Sequence, residues 1–309
     1  MDAPGPPTVG LPDELLTELG RTISGQREHL KLALATLLSG GHLLLEDRPG
    51  VGKTLLARSL GAVLGVPTGR IQGTPDLMPT DITGVHVFQP NTAEWHFRPG
   101  PIFTSLLLVD ELNRATPKAQ SALLEAMAER QVTVDGDTMV LPNPFMVIAT
   151  QNPMGEAGTH AMAHAQLDRF AARLNFGLPG RAAERQILTG ETGAHRLSET
   201  RAVLGEGELQ HVFASVAQTH ACDSVLDYVL AVVDVVRGMD PSIWLSVRVS
   251  QTLLAVSRGI AFMSGRDYVA PEDVQAAAPA VMSHRLPRSL DQEGIDAMVQ
   301  RLPVPTDAH

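Results

Sequence analysis

The stretch HLLLEDRPGVGKT, residues 42–54, is the part of the sequence that decides the fold. Its apolar run, residues 43–45, is too short for a helix and is followed at once by turn residues, which predicts a buried strand of a parallel sheet. Residues 54–65 are good helix formers with apolar positions three and four apart. A strand, a glycine turn and a helix together direct backbone N–H groups at one point, where they can bind phosphate.

The residues that close this turn predict a nucleotide site of the Walker A type. Lys53 is expected to reach the β- and γ-phosphates, and the hydroxyl of Thr54 to help hold Mg²⁺. The motif is incomplete, because Asp47 stands where the full pattern begins with glycine. Without the flanking strand and helix, a lysine that opens a surface helix would explain the same residues. The predicted nucleotide-binding set is Pro49, Gly50, Val51, Gly52, Lys53, Thr54 and Leu55.

Length and composition exclude several classes of protein. A chain of 309 residues with 44% hydrophobic content can bury a full core, so disorder throughout is excluded. The formal charge of −10 argues against a dominant surface for nucleic acid or for anionic membranes. The single cysteine, Cys222, cannot form an internal disulfide, and the first ten residues lack a signal-peptide pattern. We therefore expect a cytoplasmic protein with no membrane insertion and no nucleic-acid partner.

A second apolar run ends in two carboxylates. Leu106–Val109 is followed by Asp110 and Glu111, and such a run predicts a buried strand whose polar residues lie at its C-terminal end. Open α/β sheets bind their ligands at that end of the strands. Asp110 is therefore expected to orient the Mg²⁺ shell, and Glu111 to polarise a water for attack on the γ-phosphate. The alternative is a strand that simply ends in a polar turn.

The strand FMVIATQNP, residues 145–153, ends in a similar way. Its Asn152 is expected to position the attacking water or contact the γ-phosphate, whereas the alternative is an ordinary Asn-Pro turn. Two alternating segments, 85–98 and 131–140, predict hairpins, the second with Asp135-Gly136 at its turn. From about residue 179 the apolar spacing becomes wholly helical, which predicts a domain boundary. We expect a flexible N-terminus at 1–12, an α/β core at 13–178 and a helical domain at 179–309.

Taken in order along the chain, these segments resemble the MoxR family of AAA+ ATPases. The resemblance covers nearly the whole chain, and Asp47 is a substitution associated with that family. It is carried by LLEDRPGVGKT, RIQGTPDLMPTDITG, GPIFTSLLLVDELNRATPKAQSALLEAMAERQVTVDG, ATQNP, AQLDRF and GRDYVAPEDV.

The resemblance implies a fold, cofactors and an assembly. The fold would be an AAA+ P-loop NTPase core, with a parallel sheet between helices, followed by a C-terminal all-helical lid domain. ATP and Mg²⁺ would bind the core, and subunits would assemble into a ring with six as the expected number. The roles implied at matching positions are Walker A for Lys53 and Thr54, Walker B for Asp110 and Glu111, sensor 1 for Asn152, the arginine finger for Arg169 and sensor 2 for Arg248.

An arginine finger acts on the ATP of the neighbouring subunit, so assembly and hydrolysis would be coupled. Taken alone, Arg169 would be interpreted as a solvated or salt-bridged arginine. The family also implies a chaperone-like role in cofactor insertion or complex maturation, a protein client and a partner with a von Willebrand factor A domain. Two rival functions remain: a ring motor on DNA, and a nucleotide-gated scaffold that hydrolyses little.

Three positions differ from the family pattern. Gly73 replaces an aromatic residue and is expected to loosen the segment beside the Walker helix. Ala163 and His164 replace a proline and a glutamate, and WLSVR, residues 244–248, places Arg248 in a bulkier setting. His160 and His164 are four residues apart and could share a helix face as metal ligands, although surface or interface histidines are the preferred interpretation.

Overall fold

The structure is a computed structural model of the chain. It describes residues 10–47, 50, 52–152, 159–205, 207–241, 243–287, 290 and 292–305. Pro49 and Val51, predicted to bind nucleotide, lie outside the described residues, as does most of the predicted N-terminal segment.

A five-stranded parallel sheet forms the centre of the first half of the chain, in the order β2-β5-β8-β1-β9. Alternate side chains of its central strands point to opposite faces, and both faces are buried. This burial explains why the strands are continuous apolar runs. The five strands are β1 Leu43–Glu46, β2 Thr68–Gln72, β5 Leu106–Asp110, β8 Met146–Gln151 and β9 Ala172–Leu174.

Helices cover the two faces of the sheet. On one face, Leu43 and Leu45 pack in a core with α1, α2 and α3; on the other, Leu44 packs in a core with α5. The Thr116 hydroxyl caps α5 by accepting from the N–H of Ala119, as expected for Thr-Pro at a helix start. The helices of this half are α1 Leu11–Gly20, α2 Arg27–Leu38, α3 Lys53–Val63, α4 Pro79–Thr83, α5 Pro117–Glu129 and α6 His164–Leu167.

Both predicted hairpins are present and lie outside the sheet. The first pairs β3 Gly84–Gln89 with β4 Glu94–Pro99, and the second pairs β6 Gln131–Val134 with β7 Asp137–Val140. Asp135 and Gly136 both have positive φ, as a two-residue hairpin turn requires. His86 of the first hairpin contacts Asp135 of the second, with Nδ1 3.0 Å from Oδ2, so the hairpins are joined.

After β9, the described elements are helical. They are α7 Arg181–Leu188, α8 Glu208–Gln218, α9 Asp223–Arg237, α10 Val247–Met263, α11 Pro271–Met282 and α12 Gln292–Val299, with short 3₁₀ turns at Ala194–Glu199 and Ser283–Arg285. Of these helices, α8 to α12 share one hydrophobic core with α1, α2 and α3. In the described parts of the chain, no helix combines the length and the apolar character needed to cross a membrane.

Candidate active site

A cleft of about 560 Å³ opens where the C-terminal ends of β5 and β8 meet the N-terminus of α3. The strands are parallel, so the polar residues that follow them meet at one edge of the sheet. Arg58 also lines this cleft and adds positive charge beside the helix N-terminus. The cleft holds the described members of the predicted nucleotide site, Gly50, Gly52, Lys53, Thr54, Leu55, Asp110, Glu111 and Asn152.

Lys53 is the first residue of α3 and points back across the turn. Its Nζ donates to the carbonyl oxygens of Asp47 and Gln151 and, at 3.0 Å, to Oδ1 of Asn152. These three acceptors are two backbone carbonyls and a neutral side-chain amide. An ammonium so placed at the mouth of the cleft can bind a phosphate.

Thr54 and Asp110 form the pair expected for a divalent cation. The hydroxyl of Thr54 donates to the Asp110 carboxylate, with Oγ1 3.2 Å from Oδ1 and 3.3 Å from Oδ2. The Asp110 side chain is only 7% exposed, and the guanidinium of Arg70 lies 2.8 Å from its Oδ2. A buried carboxylate with an adjacent hydroxyl is a donor set that suits Mg²⁺. These oxygens therefore fit the metal.

Glu111 is turned in a different direction from Asp110. Its backbone has a φ of 54°, the left-handed region, and its N–H donates to Oγ1 of Thr150 at 2.9 Å. Its carboxylate accepts from Gln72, Arg114 and Asn152, at 3.3, 3.1 and 3.3 Å. The side chain is thereby held inside the cleft as a hydrogen-bond acceptor, which is the position a water-polarising carboxylate needs.

Asn152 joins the lysine to the glutamate. Its Oδ1 accepts from Lys53 and its Nδ2 donates to Glu111, while its backbone carbonyl accepts from Asn113 at 3.2 Å. A continuous set of hydrogen bonds therefore runs from Lys53 to Glu111. The prediction that this residue lies beside the γ-phosphate position is compatible with the geometry.

The turn leaves room for a phosphate chain. Gly50 and Gly52 have φ values of 91° and 88°, and a Cβ at either position would meet no atom within 4 Å among the described residues that are not its chain neighbours. Positive φ explains why glycine stands at both positions, and the open space permits a ligand to approach the backbone. Asp47, which replaces the first glycine of the motif, accepts from the N–H of Gly177 at 2.7 Å through Oδ2.

A more apolar cavity of about 230 Å³ adjoins the cleft. The two cavities share Gly50, Gly52, Lys53, Leu55 and Ala194. A nucleotide with its phosphates at Lys53 would have its base on the apolar side, where a flat ring system can be buried. The apolar residues that line this side are Ile23, Leu56, Phe176, Pro179 and Ile187.

Arg169 and Arg248 lie together in a separate cavity of about 240 Å³. Of the described residues, none lines both this cavity and the nucleotide cleft. Arg169 follows α6, and NH1 of Arg248 lies 3.4 Å from Oδ2 of Asp168. The structure therefore places the two predicted arginines in one cavity, apart from the eight described predicted residues that line the nucleotide cleft of the same subunit.

Among the residues that sequence reasoning missed are Arg70 and Gln72, which line the cleft, and Arg114, which contacts Glu111. Arg70 and Gln72 are two apart on β2, so their side chains leave the same face of that strand. That alternation was the available signal, but the partner strand β5 was not known from the sequence. Arg114 lies in the 3₁₀ turn after β5 and contacts Glu111 three residues earlier.

The structure bears on one expectation and one alternative interpretation made for single residues. Gly73 does not loosen its segment: it is buried, its N–H donates to the Asp110 carbonyl at 2.7 Å, and a Cβ there would overlap the Glu111 carbonyl oxygen. His160 and His164 share no helix face, because α6 begins at His164. In the described ranges, no group of three or more histidine, cysteine or acidic side chains is placed to hold a metal.

Comparisons with known proteins bear on the family and the fold of the chain. Residues 42–172 match the model of the ATPase family associated with various cellular activities (AAA), and residues 245–302 match the AAA lid domain. Chaperone MoxR1 of Mycobacterium tuberculosis is 39% identical over 90% of this chain and 76% of its own. Protein MoxR of Paracoccus denitrificans is 30% identical, covering 93% of this chain and 94% of its own.

The chain belongs to the MoxR family of AAA+ ATPases.

The fold of this MoxR-family protein is shared with a solved structure of a candidate ATPase from Cytophaga hutchinsonii. That structure has a TM-score of 0.82 and 29% identity, with 96% of each chain covered. The AAA+ core and the helical lid predicted from the sequence are therefore confirmed. The matched lid begins after α9, so the predicted boundary at 178/179 stays a prediction.

Proposed function

We propose that this MoxR-family protein hydrolyses ATP with Mg²⁺ in a ring of subunits. The observation that carries the proposal is the hydrogen-bonded set from Lys53 through Asn152 to Glu111, beside Thr54 and Asp110, in one cleft. Thr54 and Asp110 would hold Mg²⁺, which would supply positive charge against the negative charge that develops during phosphoryl transfer. Lys53 would bind the phosphates, and the turn with Gly50 and Gly52 would direct its backbone at them.

Glu111 is proposed as the residue that accepts a proton from the attacking water, with Asn152 holding that water or the γ-phosphate. The finger would come from a neighbouring subunit, because Arg169 lies outside the cleft of its own chain. Arg248, in the same cavity as Arg169, is proposed to act beside it. Both arginines would then belong to the surface that meets the next subunit's nucleotide.

The proposed use of the reaction is to remodel or assemble a protein client, with chaperone-like activity in cofactor insertion or complex maturation. Support comes from the similarity to a protein named chaperone MoxR1. A partner with a von Willebrand factor A domain, a cytoplasmic location and a hexameric ring are part of the same proposal and rest on family analogy. The formal charge of −10 favours a protein client over the rival of a DNA-directed motor.

Replacement of Glu111 by glutamine tests the chemical part of the proposal. We expect Glu111→Gln to bind a fluorescent ATP analogue within about 2-fold of wild type and to lower turnover by about 10²- to 10⁴-fold, the range of a general base. Glu125→Gln, an exposed residue of α5, is the matched control and should retain wild-type turnover.

Three outcomes would count against the proposal. Turnover that survives in Glu111→Gln would remove the role assigned to Glu111. Background turnover in wild type and both variants, with ATP still bound, would favour the nucleotide-gated scaffold. Salt-sensitive binding of DNA by the wild type would return the DNA-directed motor to consideration.

A further inference from the structure

The 3₁₀ turn Ser283–Arg285, which follows α11 in the helical lid, is buried against the turn that carries Arg169. His284 and Arg285 are 3% and 7% exposed, unusual for these residue types. Neither residue belongs to the nucleotide cleft, and neither has a role in the function proposed above. Their hydrogen bonds show which segment of the chain they fix in place.

Arg285 contacts the chain on both sides of Arg169. Its Nε lies 2.8 Å from Oδ1 of Asp168, and its NH2 donates to the Phe170 carbonyl at 2.8 Å and to the Asp168 carbonyl at 3.4 Å. Its NH1 donates to the carbonyl of Val281 on α11. One planar guanidinium therefore ties the end of α11 to the residues before and after Arg169.

His284 adds a second bond to the same turn. Its Nε2 lies 3.0 Å from the Phe170 carbonyl oxygen. Burial, with the nearby charge of Arg285 as a smaller cause, holds the pKa of His284 well below its usual value, so the ring is neutral. A neutral ring facing a carbonyl must carry its proton on Nε2, and it donates that proton to Phe170.

Asp168 is shared between two lid arginines. Its Oδ1 faces the buried Arg285, and its Oδ2 faces the half-exposed Arg248 at 3.4 Å. A buried guanidinium is costly unless it is paired and fully hydrogen-bonded, which Asp168 and the carbonyls achieve here. The acceptors that satisfy Arg285 lie mainly in residues 168–171, so the burial of this cation depends on the conformation of that turn.

The side chain of Arg169 itself is not used in this network. Within the part of the chain that the structure describes, it makes no hydrogen bond or ion pair. Its backbone is thus held on both sides while its guanidinium remains available to a group outside the subunit. A finger requires this combination, because a misplacement of about 1 Å can lower a rate by about 10²-fold.

We propose that Arg285, supported by His284, is the positioning residue for Arg169 and makes the lid hold the finger for the neighbouring subunit's ATP. This inference rests on the proposed function, since it assumes that Arg169 acts in trans. The lid of one subunit would thereby control the nucleotide cleft of the next subunit through the turn at 168–171. Loss of Arg285 should therefore impair the neighbour's site and leave the subunit's own cleft intact.

Mixed rings separate these two sites. Alone, Arg285→Gln should lower kcat by about 10- to 10²-fold, with binding of a fluorescent ATP analogue within about 2-fold of wild type. Mixed in equal amounts with Glu111→Gln, it should recover activity, because Glu111→Gln subunits supply an intact finger to intact Arg285→Gln clefts. Random mixing places this combination at a quarter of the interfaces, so about a quarter of wild-type activity is expected.

Arg266→Gln is the matched control for lid stability. Arg266 is also a partly buried lid arginine, and it pairs with Asp273 at 2.6 and 2.8 Å, but it has no contact with residues 168–171 among those described. It should keep near wild-type kcat at a temperature below its melting transition. An equal fall of kcat in both variants would show a general effect of lid stability and would overturn the inference.

Arg169→Ala, mixed with Glu111→Gln, separates failure of the inference from failure of the proposed function. If Arg169→Ala recovers activity in mixed rings and Arg285→Gln does not, the positioning role is wrong and the finger stands. If Arg169→Ala does not recover, the finger in trans is wrong, and the inference falls with it. Arg285→Lys and Asp168→Asn repeat the test if Arg285→Gln does not fold, and Arg285→Lys should retain intermediate kcat.

Discussion

Asp110 and Glu111 are adjacent in the sequence, yet the structure gives them separate environments. Asp110 ends β5 and faces Thr54 and Arg70, whereas Glu111 takes the left-handed conformation and faces Asn152. A non-glycine residue in this region is strained by about 1–3 kcal/mol and persists only when its surroundings fix it. Here Thr150, Asn152 and the close approach of Gly73 fix it.

Gly73→Ala tests the role of that close approach. The added Cβ would overlap the Glu111 carbonyl oxygen and lie 3.0 Å from the Asp110 carbonyl oxygen, both backbone atoms that cannot move aside without shifting the turn. We expect a loss of about 1–3 kcal/mol in the free energy of unfolding, from overpacking, and lower ATP turnover as Glu111 shifts. Urea unfolding and a turnover assay measure the two effects.

Gly20→Ala is the control for this substitution. Gly20 ends α1, is exposed, and has no atom within 4 Å of a built Cβ, so stability should be unchanged or slightly higher. If Gly73→Ala were as stable and as active as Gly20→Ala, the proposed tight contact with Glu111 would be wrong.

Arg70 is placed to compete with a metal for Asp110. Its guanidinium is 2.8 Å from Oδ2, and a cation that binds Asp110 and Thr54 must share or displace this contact. Arg70 is 57% exposed, so the pair contributes no more than about 1 kcal/mol. We expect Arg70→Gln to lower the Mg²⁺ concentration for half-maximal nucleotide binding by about 2- to 5-fold, measured by titrating Mg²⁺ with a fluorescent ADP analogue.

Chelation of Mg²⁺ provides the comparison state. With EDTA present, Arg70→Gln and wild type should bind the analogue equally, because the variant changes the metal site and not the phosphate turn. An unchanged Mg²⁺ requirement in Arg70→Gln would show that Arg70 and the metal do not compete.

At the scale of elements, His42 joins three of them. It precedes β1, its Nδ1 accepts from the N–H of Val147 on β8 at 3.0 Å, and its Nε2 lies 3.3 Å from the Met127 carbonyl on α5. These partners require a neutral ring with the proton on Nε2. Burial lowers the pKa of His42 to about 4, with a smaller contribution in the same direction from the charge of Arg130.

This pKa predicts a loss of stability in mild acid. His42 has a lower pKa in the folded state than in the unfolded state, so the unfolded chain binds the proton first as pH falls below about 6.5. The contribution of His42 to the free energy of unfolding is therefore fully present above that pH and declines as the pH falls towards 4. From pH 7 to pH 5 His42 should lower the free energy of unfolding by about 2 kcal/mol.

Urea unfolding at the two pH values measures the effect. His42→Gln removes the titrating group, so its loss of stability between pH 7 and pH 5 should be smaller than that of wild type by this amount. His211→Gln, which replaces an exposed histidine on α8, should lose as much as wild type. Equal losses in all three proteins would show that His42 does not titrate as its burial implies.

The elements themselves could be predicted from the sequence because their signals are local. Leu106–Val109 predicted a buried strand from four consecutive apolar residues, and Asp135-Gly136 predicted a hairpin from the φ values that its turn requires. The contacts between distant segments could not be predicted in this way. Arg70 meets Asp110 only because β2 pairs with β5, and Arg285 meets Asp168 from 117 residues away, so no local pattern predicts either contact.

At the scale of the whole molecule, the lid is an integral part of the subunit. One hydrophobic core runs from Leu15 on α1 through the sheet to Val299 on α12, and α10 packs so closely on α2 that a Cβ at Gly259 would overlap the Ala35 carbonyl oxygen. A boundary near residue 179 therefore divides the chain by element type, and not by separate cores. A lid movement must then also shift α1, α2 or the turn at Asp168.

The position of Arg169 predicts that hydrolysis depends on assembly. Arg169 and Arg248 share a cavity that has no described lining residue in common with the nucleotide cleft, so one subunit alone does not bring these arginines to its own phosphates. A finger supplied by a neighbour can raise a rate by about 10³- to 10⁵-fold. Turnover per subunit, measured with Mg²⁺ over a range of protein concentrations, should therefore rise steeply as rings form and then reach a plateau. Arg169→Ala should assemble to the same extent, measured by light scattering, and its turnover should stay near background at every concentration. The contrary result is wild-type turnover per subunit that does not depend on concentration while the subunits are monomeric. That result would place all of the chemistry within one chain.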